Sequence, residues 1–276
     1  MRRLAYCLIM TQTHIHPTAI IEDGAQIGAG CFIGPYCIVG PHVVLGDSVT
    51  LKAHVVVDGR TTIGEGTTIY PFASIGTAPQ DLKYHGEPSE LIIGKNNTIR
   101  EHATMNPGTE SGGMKTVVGD NGLFMMATHV AHDCQIGNHV IMANNATLGG
   151  HVVVGDRVLI GGLAAVHQFV RIGAFAVIGG MSGVESDVIP FGRVKGDRAS
   201  LAGLNIVGLE RGGFDKDQIK KIQRAFKDIF DGDGNLDQRL EQVASDNQGD
   251  DLVGQIVDFA RKRERFGLCQ PEKKTA

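Results

Sequence analysis

A six-residue repeat of apolar side chains constrains the fold of this chain more than any other feature. Every sixth residue is apolar in three stretches, residues 15–75, 93–105 and 118–184, and glycine follows many of these positions. A period of six matches neither the 3.6 residues of a helical turn nor the two-residue alternation of one long strand. It predicts short strands joined by tight turns, each strand placing one apolar side chain inward.

Three such strands make one triangular coil of 18 residues. Stacked coils bury the apolar column, and residues 18 positions apart then lie one above another at an interstrand distance of about 4.8 Å. The 38 glycines and the absence of tryptophan suit many tight corners around a thin core of branched side chains. The sequence therefore predicts a mainly β protein built as a parallel β-helix of hexapeptide repeats.

Breaks in the repeat divide the chain into segments. We expect the β-helix over residues 14–190, with two loops that interrupt the repeat at residues 77–92 and 107–117. Long excursions from a solenoid are more often functional than neutral. Residues 191–276 are predicted to begin as an irregular connector and to continue, from their apolar residues at helical spacing, as about three helices. Residues 1–13 are predicted to form a disordered leader.

The composition of the chain indicates its cellular compartment and limits the classes of binding partner. Five cysteines without C-x-x-C spacing predict neither a zinc ribbon nor a disulfide framework, and they favour a reducing cytoplasm. The apolar run that ends near Met10 is too short for a secretory signal or a membrane span, so we expect no membrane insertion and a natural start at Met10. The net charge of -4 argues against nucleic-acid binding. The basic stretch "ARKRERF" is interpreted as a solvated helix end, with docking of an acidic partner as an alternative.

The stretch "THVAHDCQIGN", residues 128–138, begins an unusual concentration of polar residues. The 18-residue spacing stacks His132 on Gly150 and Asp133 on His151. The polar residues of the next coil, His167 and Gln168, then lie close to these four. A single histidine in a turn is most often structural, but a cluster on neighbouring coils favours a functional site. The cluster contains His129, His132 and Asp133 on one coil, Gly149, Gly150 and His151 on the next, and His167 and Gln168 on the third.

General-base chemistry explains this cluster well. A neutral imidazole with a pKa of about 6.5 can take a proton from an attacking hydroxyl at neutral pH, and an adjacent carboxylate can fix its tautomer. His132 and Asp133 supply these parts, although strand-like alternation would point the two side chains apart. Gly150 allows close approach of a substrate, and its N–H is available to an oxyanion.

Three other interpretations stay open at this stage. Several histidines on a β-helix could bind zinc, as in gamma-class carbonic anhydrases, where adjacent subunits of a trimer supply them. Covalent catalysis by Cys134 is conceivable, but the sequence does not mark its thiol as activated, so a packing role is favoured. A structural or binding solenoid is a non-enzymatic alternative, and a scaffold has no need to gather histidines on three coils.

Several motifs resemble one known family closely. The hexapeptide repeat, "QDLKY" in the first loop, "HVAHDC", "ANNATLGGHV", "AVHQF" and the helical tail are similar to those of the UDP-N-acetylglucosamine O-acyltransferases, which catalyse the first step of lipid A biosynthesis. The resemblance covers roughly residues 14–265. It implies a left-handed winding for the β-helix and a cytoplasmic homotrimer whose active site lies between subunits. It also implies that the reaction needs no metal and no cofactor.

The resemblance also implies a role for each site residue. His132 would be the general base that deprotonates the sugar 3-hydroxyl, which then attacks the thioester of an (R)-3-hydroxyacyl group on acyl carrier protein without an acyl-enzyme intermediate. Asp133 would orient His132, and the backbone of Gly150 would hold the developing oxyanion. The residues that would contact the sugar nucleotide are Asp81, Lys83, His129, His151, His167, Gln168, Asn205 and Arg211.

Three positions bear on specificity in this resemblance. Gly180 matches the position of the acyl-chain ruler, and its lack of a side chain implies an open groove and an acyl chain of about 12 to 14 carbons. Asn106 stands where the family often has histidine, and Gly212 stands where a second arginine often follows Arg211. Both departures bear on nucleotide binding and leave the catalytic residues unchanged. Whether the acceptor carries a 3-hydroxyl or a 3-amino group stays open.

Overall fold

The computed structural model describes residues 12–263 and 265–272. The predictions of a disordered leader and of a start at Met10 concern residues outside this range, apart from Gln12 and Thr13. The described chain is mainly β, and it folds as a left-handed parallel β-helix followed by an α-helical domain. This architecture confirms the fold predicted from the repeat.

The β-helix has three faces, each a sheet formed by one strand per coil. The first face contains His14–Ile15, Phe32–Ile33, Thr50–Leu51, Thr68–Ile69, Thr98–Ile99, Leu123–Phe124, Ile141–Met142, Leu159–Ile160, Val177–Ile178, Gly192–Lys195 and Ser200–Leu204. The second contains Ile20–Ile21, Ile38–Val39, Val56–Val57, Ser74–Ile75, Thr104–Met105, His129–Val130, Thr147–Leu148, Ala165–Val166 and Gly183–Val184. The third contains Gln26–Ile27, Val44–Leu45, Arg60–Ile63, Glu90–Ile93, Lys115–Val118, Gln135–Ile136, Val153–Val154 and Arg171–Ile172.

The strand register follows the hexapeptide repeat. Ile33 pairs with Leu51, and Leu51 pairs in turn with Ile69, so that strands of successive coils align in parallel. All three side chains are completely buried. Because every two-residue strand from Phe32–Ile33 to Gly183–Val184 buries its second residue, the apolar column of every face fills the narrow interior of the β-helix.

Two insertions lengthen the spacing between paired strands. Ile69 pairs with Ile99, and Ile99 pairs with Phe124, so the two coils concerned are longer than 18 residues. Both predicted loops end earlier than expected, because residues 90–93 and 115–118 form strands that lie partly within them. These two strands pair over four residues, which extends the regular ladder into the ends of the loops.

Both insertions leave the β-helix at the same edge. Residues 76–89 and 106–114 each connect a strand of the second face to a strand of the third face. The turns of residues 131–134 and 149–152 lie at the same edge on the following coils. We call this edge the site edge, because it brings the two loops beside the histidine cluster.

Beyond the β-helix, the connector is more regular than predicted. Strands Gly192–Lys195 and Ser200–Leu204 form an antiparallel hairpin that caps the first face. Four helices follow the hairpin, and the last three are the ones that the apolar spacing predicts. The helices are α1 (Ile206–Arg211), α2 (Lys216–Asp231), α3 (Leu236–Asp246) and α4 (Asp251–Arg261).

The end of the chain returns to the β-helix after α4. Leu268 forms a parallel bridge with Asp187, and the N–H of Cys269 donates to the carbonyl of Asp187 at 2.8 Å. The carboxylate of Asp187 accepts from the guanidinium of Arg171, whose Nη2 also donates to the carbonyl of Phe259 in α4 at 3.2 Å. These contacts hold residues 265–272 against the coils near the site edge.

Candidate active site

His132 and Asp133 form a hydrogen-bonded pair at the site edge. Nδ1 of His132 lies 2.8 Å from Oδ2 of Asp133. Asp133 occupies a corner with φ +61°, and this left-handed conformation turns its side chain to the same side as the preceding imidazole. The alternation of an extended strand does not apply at such a corner. Because a carboxylate only accepts hydrogen bonds, Nδ1 carries the proton and Nε2 is left as the basic nitrogen.

The Asp133 carboxylate is buried and held by the second loop. Oδ1 accepts from the backbone N–H of Thr109 at 2.9 Å, and Oδ2 accepts from the Thr109 hydroxyl at 2.6 Å. The backbone N–H of Asp133 donates to Oγ1 of Thr116 at 2.7 Å. These bonds fix the orientation of the carboxylate, and through it the orientation of His132.

Gly150 lies directly against the imidazole of His132, as the 18-residue stacking predicts. A Cβ atom at Gly150 would lie 2.5 Å from Cε1 of His132 and 2.7 Å from Nε2. Among the described residues, none accepts a hydrogen bond from the Gly150 N–H. A backbone N–H on the residue that faces the imidazole is suited to bind an oxyanion that forms there.

A cavity of about 540 Å³ opens beside Nε2 of His132, and we call it the site cavity. Four of the predicted contact residues line it, and Oδ2 of Asp81 lies 3.9 Å from Nε2 of His132. Loop residues and the returning C-terminal segment complete its wall. The lining residues are Gln80, Asp81, Lys83, Ser111, His132, His151, Gln168, Phe169 and Arg265.

His151 lies next to His132, and its ring stacks on Phe169 of the next coil. Its ring meets the ring of His132 edge to face at 5.1 Å, and it lies parallel to the Phe169 ring at 4.2 Å. Burial lowers the pKa of His151 below its usual value, since desolvation outweighs the attraction of the Asp133 carboxylate. A neutral His151 donates or accepts hydrogen bonds beside the base without adding a positive charge.

His129 lies next to the cluster but outside the lining of the site cavity. It is in strand His129–Val130 of the second face, where Nδ1 lies 2.7 Å from Oγ1 of Thr104. Burial lowers the pKa of His129, and the charge of His132 lowers it further. The predicted contact between His129 and the sugar nucleotide stays a prediction.

Three other predicted contact residues lie away from the site cavity of the same chain. His167 is exposed, and its ring meets Phe266 edge to face at 5.5 Å. Asn205 caps helix α1, donating from Nδ2 to the carbonyl of Phe175 at 2.8 Å and accepting from the N–H of Gly208 at 3.0 Å. Arg211 ends the same helix and is exposed. Their roles in substrate binding stay predictions.

The structure shows which atoms surround the three positions predicted to affect specificity. Gly180 is exposed at a corner of the β-helix, and a Cβ atom there would lie 3.2 Å from the carbonyl oxygen of Gly162. Asn106 is buried, and its Nδ2 donates to the carbonyl of Thr77 at 2.9 Å, which joins the bases of the two loops. Asn106 therefore has a structural role at the site edge. Gly212 follows α1 and is exposed.

The donor set at the site is a poor fit for zinc. His132, Asp133 and His151 offer one possible ligand atom each, all within 4.8 Å of one another. However, both oxygens of Asp133 already accept hydrogen bonds from Thr109, and Oδ2 also accepts from His132. A metal ion would have to displace these bonds from a carboxylate whose side chain is 0% exposed. The geometry favours a hydrogen-bonded base over a metal centre.

Covalent catalysis by Cys134 is also disfavoured. The residue is buried, and its Sγ donates to the carbonyl of Gly149 at 3.2 Å. Burial raises the pKa of the Cys134 thiol to about 12, so the reactive thiolate is scarce at neutral pH. Cys134 packs the interior of its coil.

Five residues of the described site had no role in the sequence-based prediction: Gln80, Thr109, Ser111, Phe169 and Arg265. Thr109 lies in the second loop, where no repeat gives its position, and Arg265 lies in the basic stretch predicted to be a solvated helix end. The expectation that long loops are functional indicated the loop that contains Thr109, but it identified no particular side chain. For Arg265 the sequence offered only a local run of charge.

Comparison with known proteins identifies the family. Residues 187–269 match the model of the second domain of UDP N-acetylglucosamine O-acyltransferase, and residues 24–59 match the model of bacterial transferase hexapeptide repeats. A curated protein from Rickettsia canadensis, named acyl-(acyl-carrier-protein)–UDP-N-acetylglucosamine O-acyltransferase, is 53% identical over 96% of this chain and 100% of its own length. A Rhizobium etli protein of the same name is 49% identical over 96% of this chain and 97% of its own.

Solved structures agree with these relatives. A crystal structure of a UDP-N-acetylglucosamine acyltransferase superposes with a TM-score of 0.91 at 43% identity, and the match covers 94% of this chain and 99% of that one. A UDP-N-acetylglucosamine acyltransferase from Campylobacter jejuni gives a TM-score of 0.89 at 41% identity, covering 94% and 100% of the two chains. The chain therefore belongs to the UDP-N-acetylglucosamine O-acyltransferase family.

Proposed function

We propose that this protein transfers an (R)-3-hydroxyacyl group from acyl carrier protein to the 3-hydroxyl of UDP-N-acetylglucosamine, the first step of lipid A biosynthesis. The observation that carries the proposal is the pair of His132 and Asp133, whose Nδ1–Oδ2 bond leaves Nε2 basic at the site cavity. The names of relatives across almost the whole chain support the substrates.

The reaction follows from this geometry. Nε2 of His132 removes the proton of the sugar 3-hydroxyl as its oxygen attacks the thioester carbonyl. The negative charge moves to the carbonyl oxygen, where the Gly150 N–H stabilises it, while Asp133 stabilises the imidazolium. When the tetrahedral intermediate collapses, the C–S bond breaks and the thiolate of the carrier takes the proton from His132. The products are the acylated sugar nucleotide and the free thiol of the carrier.

The surroundings of the cavity support recognition of a sugar nucleotide. Lys83 and Arg265 bring two cations to the cavity, whereas Asp81 and Gln168 offer hydrogen-bonding groups for a sugar. The diphosphate of a sugar nucleotide needs cationic partners, and sugar hydroxyls need donors and acceptors. We further propose that His129, His151, His167, Asn205 and Arg211 contribute to this binding in the assembled enzyme.

We also propose that the active enzyme is a cytoplasmic homotrimer. His167, Asn205 and Arg211 lie outside the site cavity of their own chain, which suits a site completed by a neighbouring subunit. Exposed apolar side chains along the edge between the first and second faces, among them Leu163 at 61% and Met181 at 74%, support burial against a partner surface. Light scattering of the purified protein tests the trimer.

Two further observations concern the compartment. Within residues 12–263 and 265–272, no helix combines the length and apolar character needed to cross a bilayer. The four cysteines in the described part of the chain are free thiols. Free buried thiols support the proposed reducing compartment.

The decisive experiment offers purified protein UDP-N-acetylglucosamine, its 3-amino analogue and a panel of (R)-3-hydroxyacyl carrier proteins. We expect transfer to the 3-hydroxyl sugar, and we expect His132→Ala to lower kcat by about 10²–10⁴ if His132 is the general base. An unchanged rate in a correctly assembled His132→Ala protein would contradict the mechanism. Preference for the 3-amino analogue would contradict the acceptor. Chelator-sensitive hydration of CO₂ without acyl transfer would instead support the zinc hydratase.

A further inference from the structure

Three planar groups form a continuous stack at the wall of the site cavity. The rings of His151 and Phe169 lie 4.2 Å apart with an interplanar angle of 7°. The guanidinium carbon of Arg265 lies 3.7 Å from the centre of the Phe169 ring. His151 in turn contacts the ring of His132. The stack therefore connects Arg265 to the neighbourhood of the base through two aromatic rings.

The position of Arg265 results from the return of the chain to the β-helix. Leu268 and Cys269 are buried against the coils. The Asp187 N–H donates to the Gly267 carbonyl, and the Cys269 N–H donates to the Asp187 carbonyl. Arg265 precedes this anchor and lines both the site cavity and an adjoining cavity of about 310 Å³. Its location differs from the solvated helix end suggested by the basic stretch, because residues 265–272 fold back beyond the end of α4.

The charge of Arg265 is available for binding. Over the part of the chain that the structure describes, no carboxylate oxygen lies within 4 Å of the side-chain nitrogens of Arg265 or Lys83. A guanidinium that lies over an aromatic ring can still donate hydrogen bonds from the N–H groups at its edge. An aromatic platform also restricts the rotamers of the arginine, which lowers the entropy lost when an anion binds.

We propose that Arg265 binds a phosphate group of a substrate at the rim of the site cavity, with Phe169 as its platform. This inference rests on the proposed function and extends it. Two phosphates are compatible with this chemistry: the diphosphate of the sugar nucleotide and the phosphodiester of the prosthetic arm that carries the acyl group. In either case Arg265 acts together with Lys83, and a planar guanidinium matches phosphate oxygens by paired hydrogen bonds.

The test compares Arg265→Gln and Arg265→Lys with the control Lys262→Gln. Lys262 is an exposed neighbour in the same basic stretch that does not line either cavity. We expect Arg265→Gln to raise the KM of one substrate about 10-fold to 100-fold with a smaller change in kcat, since charge-assisted hydrogen bonds to phosphate are lost. Arg265→Lys keeps the charge without the planar fork, so an intermediate KM is expected. The control is expected to match the wild type.

Separate measurements distinguish the two sources of phosphate. Calorimetric titration with UDP, without any acyl donor, is expected to weaken in Arg265→Gln if Arg265 binds the diphosphate. An increased KM for the acyl carrier with unchanged UDP binding assigns Arg265 to the prosthetic arm. The proposal is overturned if both KM values and UDP binding in Arg265→Gln equal those of Lys262→Gln.

The same measurements separate this inference from the proposed function. If the wild type shows no acyl transfer, the proposed function fails, and titration with UDP and with inorganic pyrophosphate still tests Arg265 as an anion site. Weaker binding of either probe by Arg265→Gln would support the anion site in that case. Equal binding, or no binding of either probe by the wild type, would overturn it.

Discussion

The hydroxyl of Thr109 donates a 2.6 Å hydrogen bond to Oδ2 of Asp133, and the backbone N–H of Thr109 donates to Oδ1 at 2.9 Å. The second loop therefore fixes the carboxylate that in turn orients His132. The contact is buried, since the Asp133 side chain is 0% exposed and Thr109 is 2% exposed. In the proposed mechanism, the loop therefore takes part in catalysis by orienting the base.

Loss of the Thr109 hydroxyl should weaken catalysis without removing any group that contacts the substrate. In Thr109→Val the Asp133 carboxylate keeps its hydrogen bond from the backbone N–H and its hydrogen bond from His132. We expect kcat to fall about 10-fold, which corresponds to an increase of about 1.4 kcal/mol in the activation free energy when the carboxylate is held less firmly. The KM values should change much less than kcat, because Thr109 does not line the site cavity. Thr109→Ser restores the hydroxyl and should restore kcat. A fall in Tm with an unchanged kcat would indicate only a structural role.

Gly150→Ala should damage the site through a single steric contact. The new Cβ would lie 2.5 Å from Cε1 of His132, so the imidazole must move. Gly150 does not have a positive φ, and alanine therefore fits the backbone. A displacement of about 1 Å in a catalytic group costs about 10² in rate, so we expect a fall in kcat of that size.

The control for this variant is Gly254→Ala in helix α4. Apart from the backbone of its own helix and its two chain neighbours, no described residue would lie within 4 Å of a Cβ atom there. We expect full activity and up to about 1 kcal/mol of added stability, since alanine favours a helix over glycine. Comparable activity of Gly150→Ala and Gly254→Ala would contradict the close approach of Gly150 to the base.

Stability should decrease on mild acidification because of two partly buried histidines. Burial lowers the pKa of His129 and of His151 in the folded state, whereas both titrate near about 6.5 when unfolded. As the pH falls below about 6.5, the unfolded state binds more protons than the folded state, so the free energy of unfolding decreases. Each histidine contributes at most about 1.4 kcal/mol per pH unit in this window, and neither contributes well above it.

Thermal unfolding measured between pH 8 and pH 5.5 checks this expectation. His129→Gln removes one of the two groups and should reduce the slope of Tm against pH. His139→Asn is the matched control, because His139 is exposed and its left-handed corner tolerates asparagine. Equal slopes for the two variants and the wild type would refute the contribution of His129.

The repeat made most of the fold and the centre of the site predictable. Spacing of 18 residues placed Gly150 on His132, and the structure confirms that contact. The repeat holds because each inward side chain must fill the same narrow interior. It gave no information where the chain leaves the coils, and Thr109 and Arg265 are placed by tertiary contacts of irregular segments.

Local corners and distant contacts explain the other differences. Adjacent side chains of a strand point apart, but the φ of +61° at Asp133 brings it beside His132. The connector hairpin was not predicted because its strand Gly192–Lys195 is stabilised by pairing with Val177–Ile178 at the end of the β-helix. Helices α2 and α3 were predictable, since their apolar faces repeat locally and their caps are local.

The proposed role of Gly180 as the acyl-chain ruler gives a prediction about donor length. Gly180 and Gly162 lie one above the other at one corner of the β-helix, where they leave the backbone uncovered. The adjoining Leu163 and Met181 have exposed apolar side chains. An acyl chain can pack along this strip, and we expect the wild type to prefer donors of about 12 to 14 carbons, as the family resemblance implies. A wild-type preference for a 10-carbon over a 14-carbon donor would show that the ruler assignment is wrong.

Gly180→Met should shorten the groove and change the preference in a measurable way. Each buried methylene contributes about 0.8 kcal/mol, so excluding four of them should lower kcat/KM for a 14-carbon donor about 100-fold or more. The ruler assignment predicts that a 10-carbon donor ends before position 180, so its kcat/KM should stay within about twofold and serve as the internal control. Gly180 lacks a positive φ and is exposed, so methionine should need only a small local shift of the corner to relieve the 3.2 Å contact between its Cβ and the Gly162 carbonyl oxygen. An equal decrease in kcat/KM for both donors would mean that position 180 affects the whole site and does not determine the preferred chain length.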